Sequence, residues 1–292
     1  MKKFIFLTKI ILPLLWLLRC IPYKIYIIIG QILGVFLYCI LFKTKKIISI
    51  NIKHCFPQYN KKQRYNLIFK NFLSIGMNIL EFIYAIIASK KQLQQLITID
   101  DNFKDIISSN QAHLFLGVHF LCPIIAKYLA VYSSLNIVYR PHKKKFINRV
   151  LKKYLYNNYN KAIINTNIIA MIKTLKNNKQ LVLLFDVDVG KNKKSVFSTF
   201  LNRKASTSIL PIILAKYNNC QTHIICFARK KDKTGYILKI HKTITQFPSN
   251  DKQYDIDKIN NLASEMINEY LDQYLFSYKR FKTQVNKKSR IY

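Results

Sequence analysis

One stretch carries the residue types that catalysis needs: Leu-Phe-Leu-Gly-Val-His-Phe-Leu-Cys-Pro, from Leu114 to Pro123. Its apolar start reads as a buried strand that runs into Gly117, and His119 follows at the entry to a helix. Side chains at the carboxyl end of such a strand face the crevice where α/β domains bind ligands. An imidazole there is largely neutral at cellular pH and suits a general base. A core or turn histidine also fits this spot, and the stretch alone leaves both readings open. The six cysteines, at 20, 39, 55, 122, 220 and 226, form no CxxC pair and no zinc spacing, so neither a metal site nor a disulfide scaffold is expected.

The elements that must position His119 are legible as alternation. Short apolar runs read as buried strands at His113 to Val118, Asn136 to Tyr139, Leu181 to Phe185, Thr222 to Ala228 and Tyr236 to Ile240. Helical stretches are expected between and after them, at Pro123 to Val131, Lys144 to Tyr156, Asn167 to Lys176, Ser208 to Tyr217 and Asp257 to Leu275. Helical spacing also runs from Asn60 to Ala88. The expected fold is α/β, a mixed central sheet with helices on both faces, plus an N-terminal membrane anchor helix.

That anchor rests on two apolar runs, Phe4 to Leu18 and Ile25 to Phe42, the second of 18 residues without a charge. A helical span needs about 20 apolar residues. Lys43, Lys45 and Lys46 follow on what would be the cytoplasmic side. A pair of buried core helices is the competing reading. The simplest partition is residues 1–46 as anchor and 47–292 as one α/β domain.

Charge narrows the partners. Of 292 residues, 48 are Lys or Arg against 13 Asp or Glu, a formal net charge of +35, while half the chain is hydrophobic. Such a body is neither disordered nor collagenous, and it is drawn to polyanions. No acid occurs from Met1 to Leu80 or from Ile106 to Phe185. Apolar plus basic sequence suits a membrane surface, and no nucleic-acid module is present, so nucleic acid is not an expected partner.

Ordered motifs then carry a family resemblance. They are Asn-Ile-Lys-His-Cys-Phe-Pro-Gln from Asn51, Lys70 to Glu81, Gly-Val-His-Phe-Leu at Gly117, and Val-Tyr-Arg-Pro at Val138. Met171 to Lys176, Phe-Asp-Val-Asp-Val-Gly at Phe185, Ser-Val-Phe at Ser195, Ala-Ser-Thr-Ser at Ala205 and Arg-Phe-Lys-Thr at Arg280 complete the series. From Asn51 to Tyr292 the chain resembles the bacterial lipid A late acyltransferases of lauroyl and myristoyl type. The resemblance implies a glycerolipid-acyltransferase-like fold. It also implies transfer of a fatty acyl chain from acyl carrier protein to a hydroxyl of a lipid A (Kdo-lipid A) precursor, in lipopolysaccharide biosynthesis. No cofactor is expected beyond the acyl-acyl carrier protein co-substrate. The implied partners are that protein, the membrane with its anionic phospholipid, and the lipid A precursor. The implied location is the bacterial inner membrane, with the catalytic domain on the cytoplasmic side.

In that family the histidine is followed, after four residues, by Asp or Glu, which steadies the protonated imidazole. Here that position is Ile124. No carboxylate lies between Asp105 and Asp186, so a substitute must arrive through folding. Asp186 and Asp188, closing a later strand, are the candidates, and the family has an important acid at the position matching Asp186. The resemblance also implies substrate contacts for Arg140 in Tyr-Arg-Pro, for Asp188 and for Arg280. Where the family carries arginines before an Asn-Lys pair, this chain reads Tyr-Asn-Asn-Tyr-Asn-Lys from Tyr156 to Lys161. The family's His-Arg-Arg run becomes Tyr278-Lys279-Arg280. Two alternatives follow: a catalytically impaired homologue that binds lipid or membrane, or an acyltransferase that uses a different lipid acceptor.

Overall fold

The computed structural model describes residues 19–133, 135–141, 162–192, 194–286 and 291–292. The apolar run from Phe4 to Leu18, the helix expected from Lys144 to Tyr156 and the stretch from Tyr156 to Lys161 lie outside them.

Three helices open the described chain. Helix α1 (Tyr23–Ile40) is apolar almost throughout, α2 (Phe42–Cys55) is basic, and α3 (Lys61–Ile87) is long. The start of α3 is set by a capping box: Asn60 accepts from the Gln63 amide, and the Gln63 side chain accepts from the Asn60 amide. Helices α1 and α3 touch backbone to backbone because Gly30, Gly34 and Gly76 lack side chains. A methyl on Gly30 would sit 2.6 Å from Met77 Cα, and one on Gly76 2.2 Å from the Gly30 carbonyl oxygen. The spacing Gly30-x-x-x-Gly34 is the small-residue stripe that permits such an approach. On the opposite side of α1, Ile25, Ile28, Ile29, Ile32, Val35 and Phe36 are exposed. Both α1 and α3 are long and apolar enough to cross a membrane; 28% and 50% of their apolar windows are buried within the protein.

Short elements α4 (Lys90–Leu96), β1 (Ile97–Ile99) and α5 (Asp101–Ser108) lead into the sheet. Its other strands are β2 (His113–Gly117), β3 (Asn136–Tyr139), β4 (Ala162–Ile164), β5 (Gln180–Leu184), β8 (Gln221–Arg229) and β9 (Tyr236–Ile244). They lie in the order β1-β9-β8-β2-β5-β3-β4, with only the β8–β9 pair antiparallel. Near-continuous apolar runs such as Leu-Val-Leu-Leu are what a sheet covered on both faces demands. Helices α6 (Pro123–Tyr132), α7 (Ile168–Lys176), α8 (Leu210–Ala215) and α9 (Lys252–Glu269) supply cover alongside the N-terminal three. The expected α/β class, with a mixed, mostly parallel central sheet, is the observed one.

A hairpin missing from the expectation, β6 (Ser195–Phe200) with β7 (Arg203–Ser208), turns on Leu201 and Asn202 at φ +46° and +65°. Two residues at positive φ match the right-handed twist of the strands they join. It packs on α9, where Ser198 donates to Asp257 (2.6 Å) and Asn260 to Thr207 (3.1 Å). Helix α9 was expected to reach Leu275 but stops at Glu269. The chain then makes one 3₁₀ turn (Leu271–Gln273), and Tyr274 bridges to Phe120 as extended backbone.

One buried ion pair ties the N-terminal helices to the sheet. Arg229, at the end of β8, donates Nε–H to Glu81 of α3 at 2.8 Å and a second N–H to its other oxygen. The Tyr23 hydroxyl donates to the same carboxylate at 2.6 Å, and Arg229 reaches the Leu121 carbonyl. Glu81 and Arg229 are both buried, so deleting either alone strands a charge at a cost of about 3–5 kcal/mol.

Candidate active site

Strand register assembles the site. Strands β2 and β5 run parallel with Gly117 opposite Leu184, and the ladder continues through the Phe185 amide to the Gly117 carbonyl (3.2 Å). Two residues on, the same register sets His119 level with Asp186, although 67 positions separate them in sequence. The Asp186 carboxylate accepts from the His119 ring Nδ1 at 2.6 Å and from the His119 backbone N–H at 3.1 Å. The Tyr274 hydroxyl donates to it at 3.0 Å. Three donors therefore hold a carboxylate that is 2% exposed, while the His119 side chain is 36% exposed.

This geometry sets the tautomer. An ionised carboxylate can only accept, so Nδ1 carries the proton and Nε2 keeps its lone pair. Burial pulls the His119 pKa down, but the Asp186 charge and hydrogen bond override it, and the imidazole titrates above its usual value. Burial pushes Asp186 upward, yet the His119 charge and hydrogen bonds hold its carboxyl below the usual carboxylate range. The result is an imidazole oriented by an anion, with Nε2 left unprotonated.

Ile124, in the first turn of α6, is fully buried in the core. Among the described residues, the carboxylate in contact with His119 therefore comes from the end of the neighbouring strand and not from the following helix.

The C-terminal segment is the third wall. The His119 carbonyl accepts from the Leu275 amide (3.0 Å), and the Leu121 amide donates to the Gln273 carbonyl (2.9 Å). Asn71 of α3 donates to the carbonyls of Asp272 (2.8 Å) and Tyr274 (2.9 Å). Asn51 of α2 donates to those of Phe276 (2.7 Å) and Tyr278 (2.8 Å). Two asparagines from the N-terminal helices thereby place Tyr274, which steadies Asp186.

The other expected residues are distributed differently. Arg140 is exposed at the carboxyl end of β3, on the same edge of the sheet as His119 and two strands away. Asp188 accepts from the Thr283 amide (2.9 Å), the Thr283 hydroxyl (2.8 Å) and the Gly190 amide (3.0 Å). Arg280 is buried; it donates to the Ser206 carbonyl (2.7 Å) and Thr207 hydroxyl (2.8 Å) and lies 4.9 Å from the Phe200 ring centre. The structure therefore unites His119 with Asp186, and puts Asp188 and Arg280 in a neighbouring network that clamps the C-terminal segment. Sequence reasoning missed Tyr274, Asn51 and Asn71. The asparagines carry a signal in the sequence, since Asn51 opens the Asn-Ile-Lys-His-Cys-Phe-Pro-Gln motif and Asn71 lies in the Lys70 to Glu81 motif.

With this geometry in place, the relatives are informative. Residues 2–283 match the family model described as bacterial lipid A biosynthesis acyltransferase. The chain is 25% identical over 290 residues to the lipid A biosynthesis palmitoleoyltransferase of Escherichia coli (strain K12), covering 98% of this chain and 94% of that protein. It is 24% identical to the lipid A biosynthesis lauroyltransferase of the same organism, covering 95% and 92%. The lipid A biosynthesis acyltransferase of Haemophilus influenzae is 23% identical, covering 92% and 88%. The chain belongs to the bacterial lipid A biosynthesis acyltransferase family, a family of acyl-transferring enzymes.

Proposed function

We propose that this enzyme moves a fatty acyl chain from acyl carrier protein to a hydroxyl of a lipid A precursor, at the cytoplasmic face of a bacterial inner membrane. The observation that carries the reading is the 2.6 Å contact between His119 and Asp186. His119 Nε2 takes the proton of the acceptor hydroxyl as that oxygen attacks the thioester carbonyl. Collapse of the tetrahedral adduct breaks the carbon–sulfur bond, and the imidazolium returns the proton to the departing thiolate. Asp186 stabilises the imidazolium while it lasts. Arg140 offers a fork of donors to a phosphate or carbonyl oxygen, and Asp188 and Arg280 hold the walls against which substrate lies.

The membrane part of the proposal rests on residues 1–46 as an anchor, with the exposed apolar side of α1 meeting lipid and Lys43, Lys45 and Lys46 beside it. The excess of basic residues would steer the acidic carrier protein to the site. The test is acyl transfer by purified protein from acyl-acyl carrier protein to a lipid A precursor. His119→Ala should abolish it; an unchanged rate would remove His119 from the mechanism. Ile124 supports the second reading, a homologue with impaired catalysis that binds lipid. Absence of turnover by the unmutated protein with any lipid acceptor would favour it.

A further inference from the structure

One cleft of about 370 Å³ lies between α3, the β8–β9 turn and the residues that follow α9. Strand β8 runs parallel to β2, so this turn emerges at the same edge of the sheet as His119. The cleft's floor is Gln273, whose side chain bonds both backbone polar groups of Arg229 and whose carbonyl accepts from Leu121, two residues past His119. Leu73 and Met77 form an apolar side, at the point where α3 meets Gly34 and Gly30 of α1.

Its charge is unusual. Lys70, Lys230, Lys231 and Lys233 line it, and among the described residues none of their ammonium groups has a hydrogen-bond or ion-pair partner. Two backbone hydrogen bonds close the turn that carries three of them: the Lys230 amide donates to the Gly235 carbonyl (2.8 Å) and the Lys233 amide to the Lys230 carbonyl (2.9 Å). Asp232, the acid within the turn, is occupied by the Thr234 amide and hydroxyl. Two carboxylates also reach the cleft. Glu269 is matched by Lys239 (3.3 Å), and Asp272 accepts from Ser74 (3.3 Å). Clustered ammonium groups call for a multiply charged anion, and adjacent carboxylates accept from hydroxyls. Together they describe a phosphorylated sugar. An acidic protein surface would meet Glu269 and Asp272 as like charges, and it would not enter a concave cleft.

We propose that this cleft seats a phosphorylated sugar headgroup of the acceptor lipid, its phosphate among the four lysines and its acyl chains directed along the apolar side toward α1. The assignment rests on the acyltransfer reading for its substrate and deepens it by giving the headgroup a place.

The test uses the full chain and the triple variant Lys70→Gln/Lys230→Gln/Lys231→Gln, whose positions are at or near the surface. With a phosphorylated lipid A precursor the variant should show a KM raised about tenfold or more and a kcat within about twofold of the parent. With the phosphatase-treated precursor the two proteins should have the same KM. An equal loss on both acceptors, or no loss on either, overturns the assignment. So does a rise in KM for the acyl-acyl carrier protein alone, which would make the cleft a docking point for that protein. A second arm does not need catalysis: binding to phosphatidylcholine vesicles doped with either form of the precursor. The parent should favour the phosphorylated form and the variant should not, even if no acyl transfer is detected. Release of the vesicles by micromolar inorganic phosphate would mark a free-phosphate site instead and also overturn the proposal.

Discussion

Strand β2 has a histidine at its start and another just past its end, and their neighbours give them opposite characters. His119 faces a carboxylate. His113 faces a second histidine: its Nδ1 lies 3.0 Å from Nε2 of His223 on β8, and both rings are buried. The remaining contacts give this pair a direction. The Ser109 hydroxyl donates to the Ile106 carbonyl (2.8 Å), so it accepts from His113 Nε2 at 2.7 Å. His113 Nδ1 must then accept from His223 Nε2, and His223 Nδ1 accepts from the Thr243 hydroxyl at 2.9 Å. Both rings are neutral, with Phe115 beside them. Burial lowers the pKa of His113, and burial with the neighbouring ring takes His223 down to about 4. The same side chain is thus paired with a carboxylate just past one end of the strand and with a neutral ring at the other. The difference lies in whether an anion is present to balance the added charge.

The most damaging way to break this contrast is Asp186→Asn. It keeps the shape but removes the anion, and loss of an orienting carboxylate costs about 10⁴-fold in kcat in a comparable triad. In the same variant the acidic limb of log kcat/KM against pH, which reports the loss of the neutral His119 and should lie above the ordinary histidine value in the parent, should move to lower pH. Single-turnover acyl transfer across pH 5 to 9 measures both.

Next comes Ile124→Glu, which restores the family's local acid. Because Asp186 already occupies His119 Nδ1, no gain in rate is expected. A carboxylate in that fully buried position should cost about 3 kcal/mol of stability, read as a lower Tm. A large gain in rate would show instead that Asp186 is an inadequate replacement.

The neutral pair makes a prediction of its own. The folded state binds protons at His223 less tightly than the unfolded chain does. The associated stability is therefore fully present above about pH 6.5 and is lost as pH falls from there through about 4. The protein should lose about 1–3 kcal/mol across that window. The double variant His113→Phe/His223→Phe, which removes both partners together, should lose less, as denaturant unfolding at pH 7 and pH 5 would report. The His119–Asp186 pair has two limbs. Its histidine contribution is intact below about pH 6.5 and declines as pH rises through the raised value. The aspartate contribution declines only in strong acid.

The smallest effect expected is for Tyr274→Phe. One of three donors to Asp186 is removed, worth about tenfold in kcat with little change in KM.

The sequence showed the five central strands to within a residue or two at most ends, because continuous Ile, Leu and Val runs leave few alternatives for a buried strand. It did not show β1 or β4, each three residues long, or the β6–β7 hairpin, whose Ser, Thr and Lys content hides its period. For the site, the strand end made His119 a candidate that a core histidine also fitted, and the ordered motifs favoured it; Asp186 stood beside Asp188 because no carboxylate lies between Asp105 and Asp186, and the family match pointed to Asp186. That the two meet depends on which strands are neighbours, and β2 and β5 are adjacent only because of the order of the whole sheet. Asn51, Asn71 and Tyr274 were hidden for the same reason: each acts on backbone or carboxylate about 90 to 230 positions away.

Glu81, Asn51 and Asn71 also have a consequence for the order of synthesis. A ribosome that has made the first hundred residues has produced a helical layer whose three polar anchors still lack Arg229 and the extended segment after α9. Until those late residues emerge, the early helices have nothing to close upon and Asp186 has no tyrosine behind it. Acyl transfer should therefore switch on late in translation, after nearly the whole polypeptide has left the exit tunnel.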